Sequence, residues 1–405
     1  MRRRSAEGSG GRAGADHRRA QVPRVNLRSE RLRGWVWQGV LLAGLAWVLA
    51  WLVGNTLDNL AERGIRVGFG FLGQEAGFVI SQTPVPYAPG DSYARALATG
   101  LANTLIVSAI GIVVATILGV AIGVARLAGN RLLAGLAGAY VEAIRNVPLL
   151  LQLFVWYGVL TEWLPPVRQA ISLGGIVVMS QRGLRFAWPQ AHAGWLAAAL
   201  ALLAAILLVL AWRHHAERQR RATGNAPPIL GVAAGLVVGL PLLAWWLAGA
   251  PLAIEYPALR GFDYRGGVAM SPEFAALAIG LSVYTAAFIA EVVRAGLQSV
   301  DRGQVDAASA LGLSAGQRLR LVVIPQAMRV IVPPLTNQYL NLTKNSSLAV
   351  AIGYPDLVSV ANTTMNQTGQ AIEAMVIVMA VYLTISLSIA LAMNLFEART
   401  RLVER

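Results

Sequence analysis

The sequence has no cysteine and, in 405 residues, a single lysine, Lys344. Without cysteine there are no disulfides, no thiolate chemistry and no sulfur-ligated metal. Histidine is sparse: His17, His192, His214 and His215 are the whole set, and none has a carboxylate or second histidine at metal-binding helical spacing in an apolar context. A metal site is therefore not expected. No Gly-x-x-x-x-Gly-Lys-Ser/Thr phosphate loop occurs, so the chain does not bind and hydrolyse a nucleotide through that device. Charge is scarce too, at 13% of residues, where soluble domains carry about 25%. What is abundant is apolar: 56% of residues are hydrophobic, with a mean hydropathy of +0.56. That balance describes an all-α polytopic membrane protein whose helices pack on lipid and on each other.

The net charge of +14 invites a nucleic-acid reading, but its distribution argues against one. Ten arginines (2, 3, 4, 12, 18, 19, 24, 28, 31 and 33) precede the first apolar run, and Arg213, Arg218, Arg220 and Arg221 share one later loop. Basic clusters flanking apolar spans are the mark of the positive-inside rule. Residues 1–34, rich in Arg, Gly and Ser, are expected to be a disordered basic cytoplasmic arm.

Apolar runs near the roughly 20 residues needed to span occur at Trp35–Val53, Leu101–Val124, Leu133–Leu160, Gly194–Trp212, Ile229–Leu247, Phe274–Val293 and Glu373–Leu395. The first has no small-residue cleavage site after it and reads as a retained helix. The more polar Val330–Ala361, with Pro333 and Pro334, is expected to supply one further, irregular crossing, making about eight. With both termini inside, the cytoplasmic segments hold most arginines, and the outer loops hold Arg63, Arg66, Arg95, Arg168, Arg182, Arg185, Arg260 and Arg265. The expected organisation is an arm (1–34), a first helix and outer loop (35–96), a permease-like domain (97–397, with an inserted helix pair at about 194–248) and a cytoplasmic tail (398–405). The long outer loops Gly54–Ala96 and Thr161–Ala193 either pad the outer face or dock an extracytoplasmic partner.

The most informative stretch is 303–325. Gly312 ends an apolar-periodic stretch where a left-handed residue can stop a helix. Ser314 and Gln317 have capping-box spacing, and Asp301 stands three residues before Gln304 at the start of the first helix. Pro325 is expected to close the second helix. The small residues Ala307, Ala308, Ser309 and Ala310 suit a groove, and Arg318 and Arg320 suit an acidic rim. Two short helices meeting at Gly312 on the cytoplasmic face look shaped to be gripped.

Here the chain resembles the membrane subunits of binding-protein-dependent ABC importers. Their Glu-Ala-Ala, three residues, Gly, nine residues, Ile-x-Leu-Pro pattern is matched by Asp306-Ala307-Ala308, Gly312, Val322, Ile324 and Pro325, with Asp for Glu, Val for Ile and Ile for Leu. Further resemblance, to the polar amino-acid (histidine, glutamine, glutamate) branch, lies in Asn103-Thr104-Leu105, Arg145–Gln152, Pro325–Arg329, Pro333-Pro334-Leu335 and Leu342–Leu348. The segments Gly68–Leu72, Ala76–Phe78, Ile80–Thr83 and Leu402–Arg405 are similar to the long permeases of general L-amino-acid importers. The resemblance implies a type I permease fold with a five-helix core plus extra helices, in the bacterial inner membrane. It also implies a coupling helix seated on a pair of separate ATPase subunits that use ATP and Mg, a second related permease, and a periplasmic amino-acid-binding protein. No cofactor would be bound by this chain.

Candidate path residues follow from the cost of polar groups within spans. Asn103, Thr104, Asn146 and Gln152 lie within the matched segments. Glu142 and Arg145 share a helix face and are expected to pair or to line a path; Glu291 and Arg294 repeat the spacing at an inner end, where neutralisation is favoured. Lys344 stands among Asn337, Asn341, Asn345, Ser346 and Ser347, a row that suits a cavity better than lipid, the alternative being a snorkelling lysine. Gly111, Gly119 and Gly123 suit close helix packing. A gradient-driven transporter would show internal repeats and no docking loop, and a membrane enzyme would show a nucleophile or acid–base cluster; neither pattern is evident.

Overall fold

The structure, a computed structural model, describes residues 30–62, 68–190, 192–223, 229–250 and 252–400. Most of the arm expected over 1–34, and residues 401–405 of the expected tail, lie outside the described residues. The chain divides into two compact units, Met1–Val67 and Gly68–Arg405. The described part of the first is helix α1 (Glu30–Glu62), whose Arg33–Thr56 stretch is long and apolar enough to span.

The second unit is built on two helices, α2 (Tyr93–Ala125) and α7 (Pro272–Gln298). α2 carries Gly111, Ala115, Gly119 and Gly123, one small residue every fourth position, so the small face repeats along one side of the helix. A methyl group at Gly119 would lie 2.6 Å from Cβ of Ile289, and one at Gly123 would lie 2.7 Å from the Ala290 carbonyl oxygen. The stripe thus lets the two backbones approach. α7 repeats the device toward other neighbours. A methyl at Gly280 would meet Leu153, 2.6 Å away, and one at Gly296 would run into Ile331. Sixteen α7 residues are buried, among them Leu277, Leu281, Ala286 and Ile289, making it the mast of the unit.

α3 (Arg131–Asn146), α4 (Leu149–Gly158) and α10 (Ile324–Asn345) pack on the mast, while α11 (Leu357–Thr368) packs on α2 and α12 (Ala371–Thr400) on α10 and α11. The single span read at Leu133–Leu160 is instead two helices bent by 104°. Pro148 has no N–H to give, and it holds Val147 extended at φ −102°, ψ 127°. The buried Gln152 amide then donates to the freed carbonyls of Ile144 and Val147, both at 2.9 Å.

The irregular crossing also differs in place. A helical run from Ala315 to Ile352 passes through a π-helical turn at Leu319–Val323, α10 and a 3-10 segment at Ser346–Ile352. Pro325 does not close a helix; it occupies the first turn of α10, where a missing N–H costs least.

The inserted pair α5 (Ala193–Thr223) and α6 (Ile229–Leu247) pack on each other, with the Trp195 and Trp245 rings 6.1 Å apart. Among the described residues six helices pass the length and hydropathy test for spanning, seven if the bent pair α3–α4 is one span, with α6 a shorter apolar helix, roughly consistent with the expected eight.

Short strands add to the helices. β1 (Ile171–Leu173), β2 (Val177–Ser180) and β3 (Gly183–Phe186) are followed by β4 (Trp188–Pro189), β5 (Ile254–Glu255), β6 (Ala258–Arg260), β7 (Asp263–Arg265) and β8 (Val268–Met270). They form an antiparallel sheet in the order β1-β2-β3-β8 and the pairs β4–β5 and β6–β7. β-branched residues flank the left-handed Gly174 and Gly175 (φ 60° and 72°), which turn the first hairpin. Residues 68–92 fold back onto α2 and α11, burying Phe71, Ala76 and Ile80 with Leu97, Leu357 and Val360.

The close approach yields a prediction. Gly119→Leu must push α2 off α7, an overpacking cost of about 1–3 kcal/mol or more, and should sharply reduce folded protein in the membrane. Gly235→Leu on α6, where an added Cβ meets nothing within 4 Å, should leave it unchanged. Size-exclusion profiles of detergent extracts compare the two.

Candidate functional site

The 303–325 stretch folds as a self-contained handle. α8 (Arg302–Ala310) is capped by the Asp301 side chain, which accepts from Gly303 N–H at 2.6 Å rather than completing a box with Gln304. Its end is a Schellman motif. Gly312, at φ +75°, donates to Ser309 C=O at 3.0 Å, and Leu313 donates to Ala308 C=O at 3.2 Å. α9 (Ala315–Arg318) opens with the expected capping box: Ser314 Oγ accepts from Gln317 N–H at 3.4 Å, and Gln317 Oε1 accepts from Ser314 N–H at 2.9 Å.

Arg318 donates to Ser309 Oγ and ties the two arms together. Ala308, read as part of the gripped surface, is only 4% exposed, while its α8 neighbours on both sides are exposed. The outward surface is made by Asp306, Ala307, Ala310 and, at the tip, Leu311, whose side chain is 81% exposed. Leu311 was not singled out from the sequence; an apolar residue beside the turning glycine is the signal that marks it.

The handle hangs from the end of α7 at Ser299, next to an ion cluster. Glu291 on α7 pairs with Arg294 one turn on and with Arg126 at the C-terminus of α2. The Glu291–Arg294 pair was expected; Arg126, 165 residues away in sequence, was not. The cluster joins the C-terminal ends of α2 and α7 just before the handle begins.

The path candidates separate into two groups. Asn337, Asn341 and Lys344 lie four and three residues apart on α10 and are all exposed, forming one polar stripe inside a spanning run. Its opposite face, with Ile331, Val332, Leu335 and Leu342, is buried. Glu142, Arg145 and Asn146 are exposed at the α3–α4 break. Glu142 and Arg145 form no ion pair; the Arg145 guanidinium stands 5.0 Å from the Phe288 ring centroid instead.

The second group spends its side chains on backbone. Asn103 Nδ2 donates to Gln82 C=O at 2.9 Å and Pro355 C=O at 2.8 Å. Thr104 Oγ1 accepts from Leu357 N–H at 3.0 Å. Gln152 bridges the α3–α4 break, and Ser346 Oγ donates to Thr343 C=O at 2.7 Å. Asn345, half-buried, lies between the groups.

One buried acid was missed. Asp356 is fully buried just before α11; its Oδ1 accepts from Ser359 N–H at 2.8 Å, and the Tyr382 hydroxyl stands beside its carboxylate. Burial pushes its carboxyl up to about 7, against the pull of the Ser359 and Val358 backbone hydrogen bonds. An aspartate at a helix start reads as an ordinary cap, so nothing local announces its burial.

A multi-span chain with a self-contained handle and a polar stripe along a spanning run has the features of a transport subunit. Residues 224–402 match the family described as binding-protein-dependent transport system inner membrane component. The chain is 49% identical to YhdX of Escherichia coli over 391 residues, covering 96% of this chain and all of that protein. It is 46% identical to the general L-amino acid transport system permease protein AapQ of Rhizobium johnstonii, covering 90% of this chain and 91% of that one. With the glutamate/glutamine/aspartate/asparagine transport system permease protein BztB of Rhodobacter capsulatus the identity is 42%, over 90% of this chain and 93% of that one. The chain belongs to this family of ABC-transporter permease subunits; it is a transport subunit and not an enzyme, ATP hydrolysis residing in a separate chain.

Asp356 sets a pH prediction. Its folded-state value is raised above the ordinary 3.8, so the fold favours the neutral acid. That stability is fully present below about pH 4 and is lost as pH rises to about 7. The wild-type unfolding midpoint should fall across that window, and that of Asp356→Asn should fall less, as followed by thermal unfolding in detergent.

Proposed function

We propose that this chain forms half of the membrane path of an importer for L-amino acids. Its handle at Arg302–Val323 is worked by an ATPase dimer, and substrate is delivered by an extracytoplasmic binding protein. The observation that carries the reading is the α10 stripe. Asn337, Asn341 and Lys344 present polar groups outward from a spanning helix. Lipid would penalise each by about 1 kcal/mol or more. A water-filled cavity shared with a second permease relieves that cost. The second permease is a related chain, and the two stripes face each other across the path. The amino-acid class rests on the likeness to AapQ and BztB.

The arginine distribution supports placing both chain ends and the handle in the cytoplasm. ATP and Mg act in the partner subunits. Closure of the ATPase dimer displaces the handle, and the ion cluster at Glu291 passes the movement to α2 and α7 together. The path then exchanges outward and inward facings as a shift between two states with different ATPase contacts. Asn103, Thr104, Gln152 and Ser346 hold the helices in register, while Lys344 and its neighbours contact the passing solute; a cationic group there suits a substrate carboxylate. Glu142, Arg145 and Asn146 complete the polar lining at the α3–α4 break.

Two outcomes test the reading. Gly312→Val forces a branched residue into left-handed backbone, a cost of about 1–3 kcal/mol. It should abolish uptake and weaken ATPase co-purification at normal membrane abundance; unchanged uptake contradicts the handle's role. Lys344→Ala should raise the KM for uptake about tenfold or change the order of preference among amino acids, while the ATPase still co-purifies. Identical uptake kinetics for glutamate, glutamine and histidine would remove Lys344 from the path.

A further inference from the structure

The two insertions that carry the strands build a platform at the end of α7 opposite the handle. α7 has 27 residues, or about 40 Å at 1.5 Å per residue, so the platform and the handle lie a membrane's thickness apart. In the platform, the sheet β1-β2-β3-β8, the β6–β7 hairpin and the loop at Ser81 and Gln82 enclose an open hollow of about 140 Å³. Ser81, Gln82, Ser180, Arg182, Arg185 and Asp263 line it.

The charge of this platform is unusual for its place. Residues 164–190 and 252–271 carry five arginines (168, 182, 185, 260 and 265) against two acids, Glu255 and Asp263. Topogenic bias would remove arginines from an outer face, so their concentration calls for another cause. Inside the hollow the balance is resolved atom by atom. Arg182 Nη1 lies 3.2 Å from Asp263 Oδ2, which uses the acid. Arg185 has no ion pair among the described residues and makes only a long 3.4 Å contact with Gly266 C=O. One half-buried guanidinium is therefore left without a counter-charge, surrounded by serine hydroxyls and an amide, the donor set that a carboxylate requires.

The surroundings suit a protein more than a free solute. Exposed apolar side chains stand on the platform: Phe262 is 76% exposed, Trp188 56%, Tyr256 53% and Ile176 57%. Aromatic residues mixed with arginine are the usual composition of protein-binding centres. The hollow has room for one side chain's end and lies open at the surface.

Its floor is also wired to the helices. Ser271 Oγ donates to Gln82 Oε1 at 3.4 Å and accepts from Phe274 N–H at 3.2 Å as the N-cap of α7. The Gln82 carbonyl accepts from Asn103 of α2, which also holds Pro355 before α11.

We propose that this hollow seats a single acidic side chain, aspartate or glutamate, of the extracytoplasmic binding protein, with Arg185 as its ion partner. The proposal rests on the reading that such a protein delivers substrate to this chain. Docking there places a charge beside the N-cap of the mast and beside the Asn103 clamp, so the outer ends of α2 and α7 register the partner's arrival.

The test uses the complete transporter in proteoliposomes, with ATPase rate followed against concentration of its purified binding protein loaded with L-glutamate. Arg185→Glu should raise the half-saturating concentration about tenfold or more and flatten its dependence on salt. Arg185→Gln should shift it less, and Arg168→Glu, outside the hollow, less again. Excess binding protein should restore full stimulation to Arg185→Glu, which a misfolded variant would not regain. Wild-type transporter that is never stimulated contradicts the proposed function. Stimulated wild type with an unchanged curve for Arg185→Glu contradicts the hollow alone.

Discussion

The contact of α2 with α7 is the constraint on which the rest of the structure depends. Two spanning helices in lipid gain little from hydrophobic exclusion, since lipid tails are as apolar as their side chains; close packing and polar clamps have to hold them. Gly119 and Gly123 bring α2 against Ala286, Ile289, Ala290 and Val293 of α7, while Gly111 admits Leu342 of α10, and Val107 and Ala115 on the same helix are completely buried. With that pair fixed, α7 has sides left for α3, α4 and α10, and its own glycines at 280 and 296 admit Leu153 and Ile331.

Polar clamps finish both ends of the pair. At one end Asn103 and Thr104 reach the loop before α11, and at the other Arg126, Glu291 and Arg294 join the helix termini. Between clamps the pair is lined mostly by small and aliphatic side chains, with Ser108, Ser282 and Thr285 buried among them. The handle at Arg302–Val323 is then attached to a rigid lever rather than to a loose loop. Its internal bonds, from the Schellman turn to Arg318 on Ser309, keep it from yielding when pushed.

Much of this was legible in residues alone because it is written locally. The spans, the turn at Gly312, the box of Ser314 and Gln317, the small-residue stripe and the Glu291–Arg294 spacing all depend on neighbours within about one or two helical turns. The parts that were not legible depend on distance or compensation. Pro325 was read as a stop, but a π-helical turn precedes it and the helix continues through Ile352. Pro148 was visible, yet the 104° break depended on Gln152 being free to satisfy two carbonyls. The partners of the Asn103 amide nitrogen, 21 and 252 residues away, are equally beyond local pattern. The sheet joins β3 to β8 across about eighty residues, beyond any local pattern.

The central claim is that the handle is the surface through which another subunit moves this chain, and the absence of cysteine permits a direct measurement. A single Leu311→Cys substitution places the only thiol of the chain at the exposed tip. In the assembled transporter, a short bifunctional thiol–amine cross-linker should join that position to the ATPase subunit, with a yield that changes when ATP is bound. A thiol that stays freely accessible to a soluble maleimide in the assembled transporter, with no cross-link in either nucleotide state, would contradict the account.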